Sequence, residues 1–226
     1  MAIHSSANVH ASVTIEGDVS IGPRCQVGAG VVLRGPLIIG DETRVYPNCV
    51  IGLEGEHRTK GPVGVIRIGN GTVLRELSVI HRGTGERETT IGDGCYLMTH
   101  TYVAHDCMVE DDVTSAANAA FAGHTRILRG ANIGMGAVVH QFSTIGAYAM
   151  VGMGSVVTRD VPPFCLVAGN PARYARINTH ALRVNGWRED AVRTVDGDLV
   201  FDLPELAAHH ARFIEQSRRK RVLTHS

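Results

Sequence analysis

The sequence predicts an all-β chain wound as a parallel β-helix of six-residue sides, with a small, partly helical C-terminal appendage. Three observations predict it. An apolar residue recurs at every sixth position from Val9 through Ile15, Ile21, Val27, Leu33, Ile39 and Val45 to Ile51, again at Ile68, Leu74 and Ile80, and again from Ile91 to Val157 with Ser115 as the one break. Glycine often follows that residue, as at Ile21-Gly22, Ile39-Gly40, Ile68-Gly69 and Ile145-Gly146. The series is interrupted twice, and both interruptions are polar.

A period of six matches neither the 3.6 of a helix nor the 2 of a strand. It describes a short strand followed by a corner, repeated, which is the signature of hexapeptide β-helices. Three such sides close a triangular coil of eighteen residues. Each apolar residue then faces inward and stacks on the one eighteen positions away, with coils ~4.8 Å apart. Glycine, Asn and Asp tolerate the backbone angles that tight corners require.

The helix is predicted over residues 1–177, with loops ejected near 52–67 and 81–90, because Ile51 to Ile68 is seventeen residues and Ile80 to Ile91 eleven. The first loop holds Glu54, Glu56, His57, Arg58 and Lys60; the second holds His81, Arg82, Gly83 and Thr84. Such loops often carry function. The ladder is expected to end near Val161-Pro162-Pro163-Phe164, since proline cannot donate to it, and Gly169-Asn170-Pro171-Ala172 reads as a turn. Residues 178–226 form the mostly helical appendage. It should contain a short helix from His180 to Val192 with Trp187 packing back, a hairpin turning at Asp196-Gly197, and a helix from Pro204 to about Val222. That helix ends in the basic run Arg218-Arg219-Lys220-Arg221.

Lys plus Arg and Asp plus Glu both number 22, so nothing in the charge points to a nucleic-acid partner. Five dispersed cysteines without a CxxC pair suit reduced thiols and a cytoplasmic setting. The N-terminus carries no secretory pattern, and no segment approaches 18 uncharged apolar residues, so no membrane span is expected.

Among twelve histidines, His105, His124 and His140 fall within one residue of a common vertical line on three consecutive coils. Asp106, Gly123 and Gln141 adjoin them. Three readings are open: a general base with polar companions, a metal site, or a polar corner without chemistry. γ-Class carbonic anhydrases bind zinc on a similar coil through two histidines five residues apart and a third two coils earlier. His100 and His105 have the first spacing, but the third position is Gly64, so no metal is expected.

The stretches Arg75-Glu76 with Ile80-His81-Arg82-Gly83-Thr84, Val103-Ala104-His105-Asp106-Cys107, Ala122-Gly123-His124, Val139-His140-Gln141-Phe142 and Asp160-Val161-Pro162-Pro163 carry a resemblance over roughly residues 5–180. The chain resembles the acyl-carrier-protein–UDP-N-acetylglucosamine O-acyltransferase family of lipid A synthesis. The resemblance implies a left-handed coil, a cytoplasmic homotrimer, and direct transfer of a (3-hydroxy)acyl chain from acyl carrier protein to the 3-hydroxyl of the sugar nucleotide. The only prosthetic group is the phosphopantetheine that carries the donor, and no metal is used. His105 matches the catalytic base, Asp106 orients it, and the Gly123 N–H matches the oxyanion donor. His124, His140 and Gln141 match substrate-binding positions, and His81 lines the groove. Met153 matches a position that rules acyl length; a thioether there fills space that Gly would leave and implies a chain of about ten carbons or fewer.

The chain departs from the family at several positions. Glu56 and Arg58 stand where the family has Asp-x-Lys, and Tyr102 stands where it has a further histidine. In Leu182-Arg183-Val184-Asn185, only Arg183 remains of the basic residues that hold nucleotide phosphates. Asn170 lies in a segment similar to one in coenzyme A-dependent hexapeptide enzymes, which admits acyl-CoA as donor. The departures keep two alternatives open: N-acylation of a 3-amino sugar nucleotide, and a non-catalytic β-helical scaffold or sugar-nucleotide-binding protein.

Overall fold

The computed structural model describes residues 1–56 and 64–217. Strands of two to four residues wind into a left-handed parallel β-helix, and with a closing pair of five and six residues its sides form three sheets of 8, 10 and 8 strands. One side shows the repeat: Tyr102–Val103 pairs with Ala120–Phe121, which pairs with Val138–Val139 and then Val156–Val157, each partner eighteen residues on. The sixth-position residues are the core. Leu33, Ile51, Leu74, Ile80, Leu97, Phe121, Ile133 and Val151 are all fully buried, and each contributes about 1.5–3 kcal/mol of burial. Ser115, the break in the series, also points inward, where its hydroxyl lies 3.0 Å from the Thr101 hydroxyl. The break therefore satisfies itself inside the coil.

The ejected loops are shorter than the sequence predicts. The first is bracketed by strands Val50–Leu53 and Val65–Ile68, the second by Val79–His81 and Glu88–Ile91. Backbone pairing explains the difference, because His81 still pairs with Leu53 and Val65 with Glu88 at the loop bases.

The coil also outlasts Pro162-Pro163. Val161 bridges to Ile145, and Cys165–Gly169 pairs in parallel with Met150–Val151 before Ala172–Ile177 turns back antiparallel. The prolines occupy a corner, where no ladder N–H is needed, and Asn170 sits exposed at the tip of the closing hairpin.

Helix α1 (Thr179–Val184) stops well short of Val192. Asn185 caps it, Gly186 turns the chain at φ +79°, and Val192–Val195 is instead a strand paired with Asp198–Phe201. The turn residues Asp196 and Gly197 both have positive φ, 49° and 87°, as a type I′ turn requires. Trp187 packs on the cluster of Phe164, Leu182, Ala191, Val192 and Leu206. Helix α2 (Pro204–Gln216) buries Leu206 and Phe213. Its end is tied to the coil: Ser217 Oγ donates to Asp160 (2.7 Å) and Thr144 Oγ1 donates to the Gln216 carbonyl (3.1 Å). The basic run Arg218–Arg221 lies outside the described residues. No helix among the described residues is long and apolar enough to cross a membrane.

Candidate active site

The corner that follows Tyr102–Val103, Ala120–Phe121 and Val138–Val139 stacks the polar residues in adjacent columns. His105, Gly123 and Gln141 repeat at eighteen in one column; Asp106, His124 and Phe142 do so in the next, with left-handed φ of 60°, 63° and 63°. The offset puts His124 beside His105 rather than above it. Their rings meet edge to face, centroids 5.1 Å apart, and Phe142 stacks flat on His124 at 4.5 Å. His140 stands one column earlier, exposed, with Nδ1 3.1 Å from the Gln141 carbonyl.

Asp106 organises the corner. Its Oδ2 lies 2.8 Å from His105 Nδ1 and 3.5 Å from His124 Nδ1. Thr84, from the second loop, donates its N–H to Oδ1 and its hydroxyl to Oδ2, both at 2.7 Å. Thr89 Oγ1 accepts from the Asp106 N–H at 2.9 Å. The Asp106 side chain is 2% exposed. Burial alone would raise its carboxyl, but the Thr84 N–H, His105, the Thr84 hydroxyl and the nearby His124 outweigh it and hold the group below the usual carboxylate range. An ionised Asp106 accepts Nδ1–H of His105, which leaves Nε2 with its lone pair.

Two glycines flank the His105 ring. A Cβ on Gly123 would lie 2.8 Å from Cε1 and 2.9 Å from Nε2; a Cβ on Gly55 would lie 2.7 Å from Cβ and 2.9 Å from Cγ and Cδ2. No other residue fits either position without moving the ring. The N–H groups of Ala122 and His124 donate to the Val139 and His105 carbonyls. Among the described residues, the Gly123 N–H between them donates to no other group. His105 Nε2 thus lies against the Gly123 backbone. A groove of about 530 Å³ opens on the Asp106 and His124 column of the corner, lined also by Phe142, Met108, Arg87 and Arg126, among others.

Glu56 and His81 join the site from the other side. Glu56 Oε2 accepts from the Tyr102 hydroxyl at 3.3 Å, and His81 Nδ1 lies 3.4 Å from the same hydroxyl. Burial pushes His81 below the ordinary imidazole range, Glu56 opposes that, and the nearby His105 adds to it. Arg58 lies outside the described residues. The remaining predicted positions stand elsewhere on the single chain. Asn170 is at the closing hairpin. Arg183, at the end of α1, faces Glu189 (3.6 Å). Met153 is 75% exposed on a different corner, beside Met135, whose carbonyl accepts from Gly154. Sequence reasoning gave no role to Thr84, Thr89, Gly55 or Tyr102. Thr84 was visible as part of a motif, whereas Gly55 had no signal.

His105, His124 and Asp106 form a set in which one ligand atom from each lies within 4.8 Å of the others, near enough to share an ion. Both Asp106 oxygens already accept hydrogen bonds in this arrangement, and an ion held between Asp106 and His105 Nδ1 would have to displace the proton there.

Residues 21–52 match the model of bacterial transferase hexapeptides, and residues 160–197 that of the second domain of UDP-N-acetylglucosamine O-acyltransferases. An acyl-[acyl-carrier-protein]–UDP-N-acetylglucosamine O-acyltransferase of Synechocystis is 43% identical over 69% of this chain and 57% of its own. Its namesake from Verminephrobacter eiseniae is 35% identical over 80% of this chain and 77% of its own. The chain thus spans less than two thirds of the Synechocystis relative and more of the second. The solved UDP-N-acetylglucosamine O-acyltransferase of Moraxella catarrhalis superposes with a TM-score of 0.71 at 31% identity, covering 98% of this chain and 100% of that one. On the fold, the corner and these likenesses together, the chain belongs to the acyl-[acyl-carrier-protein]–UDP-N-acetylglucosamine O-acyltransferase family.

Proposed function

We propose that the protein transfers a (3-hydroxy)acyl chain from acyl carrier protein to the 3-hydroxyl of UDP-N-acetylglucosamine. The observation that carries this reading is His105. Its Nδ1 is held by an ionised, buried Asp106, and its Nε2 sits against the Gly123 backbone.

Nε2 takes the proton of the sugar hydroxyl as that oxygen attacks the thioester carbonyl. The Gly123 N–H donates to the oxyanion of the tetrahedral intermediate. Collapse breaks the carbon–sulfur bond, and the phosphopantetheine thiolate leaves with the proton returned from His105. Asp106 stabilises the intervening imidazolium, as a buried carboxylate does for a catalytic histidine. The products are an ester and a free thiol, and no metal or covalent enzyme intermediate takes part. His124, His140, Gln141, Glu56, Arg58 and His81 are the substrate-binding set on this reading. The enzyme acts as a cytoplasmic homotrimer, in which a neighbouring copy brings Asn170, Arg183 and the acyl ruler Met153 to the groove.

The test is a transfer assay with UDP-N-acetylglucosamine and 3-hydroxyacyl carrier proteins of several lengths, wild type beside His105→Ala. Transfer that disappears in the variant supports reaction class, base and acceptor together. Transfer that survives with little loss overturns the mechanism.

One observation favours a second reading, N-acylation of a 3-amino sugar nucleotide. Asn185 spends its amide on the Ala181 carbonyl (2.8 Å) and Val184 is 63% exposed, so neither replaces a phosphate-holding cation. The 3-amino analogue and acyl-CoA, run in the same assay, separate the two.

A further inference from the structure

The segment Glu54–Glu56 lies against His105, and what ties it there is a side chain to which the family pattern gives no role. Tyr102 projects outward from its strand between Val79 on the coil before and Ala120 on the coil after. Its ring packs edge to face on His81 at 5.3 Å, and its hydroxyl meets both Glu56 Oε2 (3.3 Å) and His81 Nδ1 (3.4 Å).

One hydroxyl proton serves two neighbours, so the chemistry fixes its direction. Burial, with Glu56 nearby, pushes the Tyr102 phenol up to about 12, so it keeps its proton. A carboxylate accepts more strongly than an imidazole nitrogen. The proton therefore goes to Glu56, and the phenol oxygen accepts Nδ1–H from His81. His81 is thereby set in one tautomer, proton on Nδ1 and lone pair on Nε2.

The next residue back is Gly55, whose backbone lies directly on the His105 ring. Glu54, one further, is held separately by Arg82 at 3.0 Å. Losing the Tyr102 bond therefore frees Gly55–Glu56 locally without releasing the base of the loop.

We propose that Tyr102 is a positioning residue for acyl transfer: its hydroxyl joins His81 to Glu56 and so holds the Gly55 backbone against His105. The inference rests on the reading of His105 as the base.

The test has two arms. Nitrogen-15 NMR of the histidine rings should find His81 neutral with its proton on Nδ1 at pH 7.5 in the wild type, and released to the other tautomer in Tyr102→Phe. In steady state, Tyr102→Phe and Glu56→Ala should each lower kcat about tenfold, the scale of one hydrogen bond to a charged group. The double variant should fall no further than the worse single one, because both changes break the same link. A wild-type His81 protonated on Nε2, or losses that multiply in the double variant, overturns the proposal. The NMR arm needs no acyl donor. Absence of transfer from every donor with the Nδ1–H tautomer in place therefore sinks the proposed function and leaves the Tyr102 link standing.

Discussion

Oδ2 of Asp106 lies 2.8 Å from Nδ1 of His105 and 3.5 Å from Nδ1 of His124, so one carboxylate oxygen faces two imidazoles. Thr84 fixes that carboxylate through both its N–H and its hydroxyl. An Asn at this position offers one carbonyl oxygen to three donors and presents an NH2 group to the rest. Asp106→Asn should therefore keep the fold and lower kcat about 100-fold or more, the range of general-base catalysis. A kcat within a factor of three of wild type, with unchanged circular dichroism, counts against Asp106 as the residue that orients the base.

Gly123→Ala tests space rather than charge. The added methyl meets His105 Cε1 and Nε2 at under 3 Å, and the ring must move to accept it. A displacement of about 1 Å can cost about 100-fold in rate. The expected result is a fall in kcat of that order with a melting temperature close to wild type. A large loss of stability with normal turnover per folded molecule would show that this glycine serves the coil rather than the chemistry.

Acid should loosen the C-terminal appendage before it unfolds the coil. His209 on α2 packs on Tyr148 and Phe164, ring centroids 5.1 and 5.9 Å away. Burial lowers its pKa first, then Arg129 and Arg212, against Glu110 and Glu205. The folded-state value lies below the unfolded one, about 6.5, so the stabilisation is present above that pH and is lost as pH falls toward the folded value. Melting curves from pH 7.5 to 5 should show declining stability in the wild type and a flatter profile in His209→Phe. Equal slopes for the two proteins would contradict this account.

Met153 is 75% exposed on the chain, so its removal should hardly touch stability, by about 1 kcal/mol or less. If a neighbouring copy makes it the end wall of the acyl site, Met153→Gly should shift preference toward longer donors. Competition between ten- and fourteen-carbon 3-hydroxyacyl carrier proteins reads this directly. An unchanged ratio removes Met153 from the site.

Much of the coil was legible because its period is arithmetic. Counting by six places the core, and counting by eighteen brings His105, Gly123 and His124 to one corner. What the count could not give was the offset between columns, which seats His124 beside His105 and leaves His140 exposed. It also missed whatever enters from the ejected loops. Thr84 and Gly55 reach the histidine because a loop folds back, and a break in periodicity hides where a loop goes. Tyr102 was visible as a departure from the family, but its link to Glu56 depends on a contact across forty-six residues. The helix ending at Val184 rather than Val192 turned on Gly186, a stop signal outweighed by the apolar spacing beyond it.

Leu37 pairs with Ile66 and Thr89 with Ile66, then Thr90 with Met108. Across the two ejections the spacing between ladder partners is 29 and then 23 residues, and afterwards it returns to 18. The rack absorbs both insertions without losing a rung, so the stretch after Glu56 and before Val65 is an exchangeable cassette. Its length and sequence can drift while Gly55 and Glu56 stay on His105 and the coil keeps His105 and Asp106 in place. Diversification toward new acceptors then has an inexpensive route: rewrite the cassette and leave the engine untouched.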